Sequence, residues 1–154
     1  IVFACGSGGT AAGLCLGVKR ARWPIRVHAV NVCHDAGYFH RKIGAIIQDF
    51  GVDYYEDDLD IIDGYVGLGY ARSRPEELKL LFEVARATGV ILDPVYTGKA
   101  FFGLSQELAV GGRRFRGKSI LFVHTGGLFG LYDKVEEMKP FFDEPAGGWR
   151  YGAH

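Results

Sequence analysis

A segment of glycines and hydroxyl residues lies directly after an apolar run and before a helical pattern, and consists of Gly6, Ser7, Gly8, Gly9 and Thr10. A strand that turns through glycines into a helix aims unpaired backbone N–H groups at one point, and the positive end of the helix dipole adds to them. Glycine permits positive φ and a close approach of the backbone, while the two hydroxyls add donors. These five residues, here called the phosphate loop, therefore predict a site for a phosphorylated ligand, which we interpret as a cofactor.

Two later segments also place glycines and hydroxyls after a strand. The segment 93–99 reads DPVYTGK and leads into a helical pattern. The apolar run 120–123, predicted to be a strand buried on both faces, ends in His124, Thr125, Gly126 and Gly127. Ligands of open α/β sheets bind outside the carboxyl ends of the strands, where the strand order reverses. We therefore expect the three loops to meet in one crevice.

The elements that position these loops alternate between strand and helix. Residues 11–20 repeat apolar side chains at helical spacing, residues 25–33 form a short strand pattern, and Asp35 caps a helix that ends at Gly51. We predict a third strand at residues 52–55. This order predicts an α/β domain with three layers, α/β/α, and a mostly parallel sheet.

The remaining segments are predicted with less regular structure. Residues 56–74 show little periodicity and predict a long functional loop. Ser73 and Glu76 are a plausible capping pair for the helix that follows. We predict one α/β domain over residues 1–139 and a C-terminal tail over residues 140–154.

Composition excludes several classes of function. The chain has 154 residues, 48% of them hydrophobic, and a formal net charge of zero, which suits one domain with its own core and gives no footprint for nucleic acid or an anionic membrane. No apolar stretch approaches the roughly 20 residues of a bilayer span. The three cysteines lack paired short spacing, which favours free thiols over disulfides or a metal site. We expect a soluble protein of the cytoplasm or an organelle matrix.

Four motifs together carry a resemblance to a known family. The segments GSGGTAAGL, YVGLGY, DPVYTGKAFFGL and FVHTGG, in this order and spacing, resemble those of pyridoxal-phosphate enzymes with the tryptophan-synthase-β fold, called fold type II. Within that fold they resemble the family of D-cysteine desulfhydrases and 1-aminocyclopropane-1-carboxylate deaminases. The resemblance extends over about residues 1–139. It implies pyridoxal 5'-phosphate as the cofactor, a small amino acid as the substrate and a homodimer.

The resemblance also assigns roles to single residues. The phosphate loop matches the segment that holds the cofactor phosphate. Tyr70 and Tyr96 match two active-site tyrosines that face the substrate, and Thr97 matches the position beside the pyridine nitrogen. Thr125 and Gly126 match residues along the same edge of the ring.

Thr97 bears on which reaction is expected. The resemblance implies a carboxylate at this position in the ring-opening deaminases, which keeps the ring nitrogen protonated. A hydroxyl hydrogen-bonds a largely neutral nitrogen, so the ring is a weaker electron sink and loss of a β leaving group is favoured. The expected reaction is α,β-elimination of D-cysteine to hydrogen sulfide, pyruvate and ammonia, with Tyr70 or Tyr96 as proton donor. The deaminase reaction is the alternative.

Other interpretations compete with this one. The family's Schiff-base lysine lies in an N-terminal segment that nothing here matches, and Lys99 occupies a different position. We therefore expect the chain to be the C-terminal part of the catalytic fold, with a non-catalytic cofactor-binding or interaction module as the alternative. The phosphate loop also fits a dinucleotide fingerprint, but the second predicted strand ends in the residues Asn31, Val32 and Cys33, without an acidic residue for the ribose. A nucleophile elbow at Ser7 would need a glycine two positions earlier, where Cys5 stands.

Overall fold

The computed structural model describes residues 1–117 and 119–142. In this part of the chain, a sheet of three parallel strands has the order β1-β2-β3, with β1 at Val2–Cys5, β2 at His28–Asn31 and β3 at Asp60–Ile62. All residues of β1 and β2 are buried, as expected for a parallel sheet covered on both faces.

The helices of the described residues are α1 (Gly9–Ala21), α2 (Ala36–Asp49), α3 (Pro75–Thr88), α4 (Thr97–Ala109) and the short α5 (Val135–Met138). Turns of 3₁₀ helix lie at Glu56–Asp58, Leu128–Lys134 and Lys139–Phe141. The expected cap of α2 is confirmed, because the Asp35 carboxylate accepts the Tyr38 N–H at 2.8 Å. Gly51, just after α2, has a φ of +67°.

Two cores on opposite faces of the sheet define the layers. On one face, Phe3 of β1 packs with Ile43 of α2 and with buried residues of α1. On the other face, Val30 of β2 packs with Leu104 of α4, and α3 packs against α4. The predicted α/β/α arrangement with a parallel sheet is confirmed.

The prediction of a third strand at residues 52–55 is wrong. β3 forms at Asp60–Ile62, inside the segment predicted as a loop, and pairs with β2. Asp60 can begin a strand because its carboxylate contacts His28 Nδ1 at 2.7 Å and Arg114 Nη1 at 2.6 Å. Burial raises the pKa of Asp60, but the His28 hydrogen bond and the Arg114 charge outweigh burial and lower that pKa.

The predicted capping pair of α3 is also wrong. Arg74 is the N-cap residue, and the Glu77 carboxylate accepts the Arg74 N–H at 2.9 Å. The Ser73 hydroxyl donates instead to the Pro94 carbonyl at 3.2 Å. The pattern therefore indicated the helix correctly but placed its cap one residue early.

The run 120–123 lies beside β1 on the side away from β2. Val2 donates its N–H to the Leu121 carbonyl and accepts the Val123 N–H, both at 2.8 Å, and Phe122 forms an isolated parallel bridge with Val2. Leu121 is 61% exposed, so the expectation of a strand buried on both faces is wrong for the described residues. The strands β2 and β3 follow on one side of β1, whereas the run 120–123 returns to the other side. The order in which the chain adds strands therefore reverses at β1, and the carboxyl end of β1 is a topological switch point.

The tail predicted at residues 140–154 lies mostly outside the described residues. Phe141, which is described, packs on Phe82 of α3 with ring centroids 5.9 Å apart. Among the described helices, none combines the length and the hydropathy that a membrane crossing requires.

Candidate active site

A cleft of about 530 Å³ opens beside the carboxyl end of β1, at the switch point. It is lined by residues of the phosphate loop, of the turn after β2 and of three later loops: Ala4, Cys5, Gly6, Ser7, Gly8, Thr10, Ala11, Cys33, His34, Tyr70, Tyr96 and Thr125. The three loops that the sequence expected to meet therefore contribute to one cleft.

The phosphate loop presents main-chain donors to this cleft. Gly8 is the N-cap of α1 with a φ of +90°, no side chain caps the helix, and its first turn has no acidic residue. The helical hydrogen bonds begin with the Ala12 N–H donating to the Gly8 carbonyl at 2.9 Å. The N–H groups of Gly9, Thr10 and Ala11 precede this bond, so they have no intrahelical partner. A 13-residue helix that starts in this way suits an anion.

Gly6 brings the phosphate loop into contact with Tyr96. A Cβ on Gly6 would lie 2.8 Å from Cε1 of the Tyr96 ring, a distance that real Cβ atoms do not show. The Gly6 carbonyl also accepts a hydrogen bond from the Cys33 thiol at 3.1 Å. Gly6 is therefore the residue through which the loop, the tyrosine and the turn after β2 are packed together.

Tyr70 and Tyr96 form a hydrogen-bonded pair at the cleft. Their hydroxyl oxygens are 2.5 Å apart and their rings meet edge to face, with centroids 6.0 Å apart. The hydrogen bond with Tyr70, helped by burial, raises the pKa of Tyr96 to about 12. Tyr96 therefore keeps its proton throughout the neutral range.

Asp93 organises the turn that carries Tyr96. It is fully buried, its Oδ1 accepts the N–H groups of Val95 at 2.8 Å and Tyr96 at 2.7 Å, and its Oδ2 accepts the Thr97 N–H at 2.8 Å. Sequence reasoning missed this role, although an aspartate just before a helix is a known capping signal.

Three of the predicted site residues do not line the cleft. Thr97 is fully buried, and its hydroxyl donates to the Asp93 carboxylate at 2.6 Å while it accepts the Asp93 N–H at 2.9 Å. Gly9 begins α1, and Gly126 donates its N–H to His124 Nδ1 at 3.0 Å. For Thr97 to donate to a ring nitrogen, its hydroxyl would have to turn away from Asp93.

The turn after β2 adds two residues that sequence reasoning did not place in the site. The Asn31 side-chain oxygen accepts the N–H groups of Cys33 and His34, each at 3.0 Å, and the Asn31 side-chain amide donates to the Asp63 carboxylate at 2.5 Å. His34 also stacks on Tyr38, with ring centroids 4.2 Å apart. The sequence signal that could have identified this turn is an asparagine at the end of a buried strand, since its side chain can bond the following backbone.

The three cysteines are free thiols in different surroundings. Burial raises the pKa of Cys5 and of Cys15 to about 12, and it raises the pKa of the half-buried Cys33. No group of three or more histidine, cysteine or acidic side chains in the described residues is arranged to hold a metal ion.

Comparisons with known proteins identify the family of this chain. The family model described as pyridoxal-phosphate dependent enzyme matches residues 1–126. A mitochondrial protein of Arabidopsis thaliana, named bifunctional D-cysteine desulfhydrase/1-aminocyclopropane-1-carboxylate deaminase, is 46% identical over 138 residues, which cover 90% of this chain and 34% of that protein. A D-cysteine desulfhydrase of Yersinia enterocolitica is 36% identical over 137 residues, with 86% of this chain and 41% of that protein covered.

A solved structure supports the same assignment. The crystal structure of an ACC deaminase homologue matches with a TM-score of 0.77 and 33% identity, and the match covers 91% of this chain and 43% of that one. The chain thus spans less than half the length of the relatives it matches. The resemblance predicted from the four motifs is confirmed, and this chain belongs to the family of pyridoxal-phosphate dependent enzymes.

Proposed function

We propose that this chain supplies the phosphate site and a hydrogen-bond donor for the pyridoxal-phosphate dependent α,β-elimination of D-cysteine, which yields hydrogen sulfide, pyruvate and ammonia. The observation that carries the proposal is the cleft itself. It combines an uncapped, glycine-rich helix start with a hydrogen-bonded tyrosine pair, and the Gly6 backbone contacts the Tyr96 ring. A phosphorylated cofactor and a small polar substrate fit such an arrangement.

The residues present fit pyridoxal 5'-phosphate. The unpaired N–H groups at the start of α1, together with the hydroxyls of Ser7 and Thr10, would hold its phosphate, and Thr125 lies on the same cleft wall. When bound, this cofactor supplies an electron sink that acidifies the Cα–H bond of an attached amino acid. Gly9, Thr97 and Gly126 remain predicted cofactor-binding residues of the same loops.

Tyr96 would act on the leaving group as a hydrogen-bond donor. Its pKa of about 12 lies well above the value of about 8.5 for an ordinary thiol. The leaving group from D-cysteine is hydrosulfide, which is less basic than an ordinary thiolate. Complete proton transfer from Tyr96 to it is therefore unfavourable, whereas a hydrogen bond to it is not. Because each hydroxyl has one proton, Tyr70 would then donate to the Tyr96 oxygen and so orient that donor.

The deaminase reaction is the second candidate, because relatives of this chain carry that name as well. Elimination is favoured if the Thr97 hydroxyl, which is bonded to Asp93, turns toward the ring nitrogen, because the resemblance implies a carboxylate at this position in the deaminases. The test is an assay of the full-length protein with both substrates, measuring sulfide from D-cysteine and a 2-oxo acid from 1-aminocyclopropane-1-carboxylate. Sulfide release that falls about 100-fold or more in Tyr96→Phe, as on loss of one hydrogen-bond donor to developing negative charge, supports the proposal. A 2-oxo acid without sulfide would establish the alternative.

A non-catalytic cofactor-binding module is the candidate from another class. In the described residues, the cleft wall includes no lysine, and the Lys99 ammonium is buried among main-chain carbonyls. Incubation of the chain with pyridoxal phosphate and borohydride distinguishes the classes, since reduction onto one defined lysine would make this chain a complete cofactor site. Homodimer formation and a cytoplasmic or matrix location stay predictions.

A further inference from the structure

Lys99 is a charged side chain enclosed in the protein beside the active-site cleft. Its side chain is 0% exposed, and its ammonium donates to the carbonyls of Val66 and Arg72, each at 2.8 Å. The third partner is the Glu77 carboxylate, at 3.4 Å. Enclosing an ammonium is costly unless it is fully paired, so this arrangement needs a reason beyond packing.

The two carbonyls that Lys99 binds lie on either side of the turn that carries Tyr70. This turn, residues 66–72, has positive φ at Gly67, Gly69 and Ala71. Ala71, next to Tyr70, has a φ of +56°, a conformation that an alanine keeps only where its surroundings impose it. The turn is therefore held in shape from outside, and Lys99 supplies bonds at both of its ends.

Glu77 completes the same structure from α3. Its Oε2 accepts from Lys99 and also from the Arg74 N–H at 2.9 Å, so one carboxylate joins the ammonium to the start of α3. Gly67 packs closely on both charged groups, because a Cβ there would lie 2.7 Å from Glu77 Oε1 and 2.8 Å from Lys99 Nζ. Only glycine fits at position 67, where the turn packs against the ion pair.

We propose that Lys99 and Glu77 are positioning residues that hold the turn 66–72 so that the Tyr70 hydroxyl meets the Tyr96 hydroxyl. Lys99 lies on α4, three residues after Tyr96, so the same helix start fixes both partners of the tyrosine pair. The catalytic meaning of this role rests on the proposed function, but the contact itself does not.

The test uses the ligand-free chain with isotope-labelled tyrosine and follows the ring-carbon NMR shift of Tyr96 with pH. Tyr70→Phe calibrates the loss of the hydrogen bond, which moves the pKa of Tyr96 from about 12 toward its ordinary value. Lys99→Met is expected to lower the pKa of Tyr96 in the same direction. The matched control is Lys19→Met. Lys19 lies on α1, and its ammonium contacts the Asp58 carboxylate at 2.6 Å, so this variant should leave the pKa of Tyr96 unchanged.

Lys99→Gln provides a second variant, since it keeps hydrogen-bond donors without the charge. The proposal is overturned if a folded Lys99 variant has the same Tyr96 pKa as the parent protein, or if Tyr70→Phe leaves that pKa unchanged. If neither Lys99 variant folds by circular dichroism, the pair serves stability alone and the positioning role is also wrong. Because no cofactor or activity enters this measurement, its result is independent of whether D-cysteine is the substrate.

Discussion

Replacing Gly8 by alanine perturbs the phosphate loop at its most constrained position. Gly8 has a φ of +90°, and an added Cβ would lie 3.3 Å from Cγ1 of Ile43. An L-residue in a left-handed conformation costs about 1–2 kcal/mol, and Ile43 would have to yield by a few tenths of an ångström. Gly8→Ala should therefore cost the protein at least about 1 kcal/mol.

This cost must appear either as a lower melting temperature or as a weaker affinity for the phosphorylated ligand. If the loop keeps its conformation, the melting temperature falls by about 2–8 °C, at about 2–4 °C per kcal/mol for a chain of this size. If the loop relaxes, its N–H groups no longer converge, and the affinity for a phosphorylated ligand falls by about 5–30-fold, because about 1.4 kcal/mol corresponds to a factor of ten.

The assay measures both quantities on the same samples. Thermal unfolding is followed by circular dichroism, and binding of pyridoxine 5'-phosphate by calorimetry, because this ligand has the phosphate but no aldehyde that could react with surface lysines. Gly13→Ala is the matched control, since Gly13 lies within α1 and nothing surrounds its added Cβ within 4 Å. It should stabilise the helix by about 0.5–1 kcal/mol without affecting binding. Equal behaviour of the two variants in both assays would refute the reasoning.

Three further predictions follow from the pKa shifts and from burial. Tyr70→Phe should lower the pKa of Tyr96 from about 12, so an alkaline absorbance titration shows one phenol ionising earlier; an unchanged curve would contradict the pair. Cys33 should react with a thiol reagent faster than the two buried cysteines, Cys5 and Cys15. Because Cys33 lines the cleft, pyridoxine 5'-phosphate should slow this reaction. Equal protection by pyridoxine would argue against a phosphate-dependent site. The lowered pKa of Asp60 contributes stability above the ordinary carboxyl value, and this contribution is lost as the pH falls through the lowered one. Arg114→Ala should therefore destabilise the protein by about 0.2–1 kcal/mol near neutral pH, with a difference in melting temperature that begins to shrink at about pH 4 and disappears as the pH falls through the lowered pKa of Asp60.

Local patterns were sufficient for the layers of this fold. Helices α1 and α2 follow from apolar spacing and from the cap at Asp35, which depend only on neighbouring residues. The third strand was misplaced because its identity is decided at a distance. Asp60 carries a charge that discourages a strand prediction, and only its contacts with His28 and Arg114 make the position suitable.

The functional site likewise contains features that local sequence predicts and features that depend on distant contacts. The phosphate loop was predictable, since strand, glycines and helix are adjacent in sequence. Tyr70 and Tyr96 were paired only through the family resemblance, because nothing within either segment reports that they meet. The role of Lys99 depends on buried hydrogen bonds to a distant turn, which sequence periodicity does not encode. The bonds of Asp93 are local, and its place just before α4 was a signal that could have been used.

An amide NMR titration of the chain with pyridoxine 5'-phosphate and, separately, with pyridoxine reports whether the start of α1 binds the phosphate group. We predict that the phosphate ester shifts the amide signals of Gly9, Thr10 and Ala11 most, and that pyridoxine leaves them nearly unchanged. Largest shifts at the arginine-rich surface of residues 113–116, or equal shifts with both ligands, would contradict it.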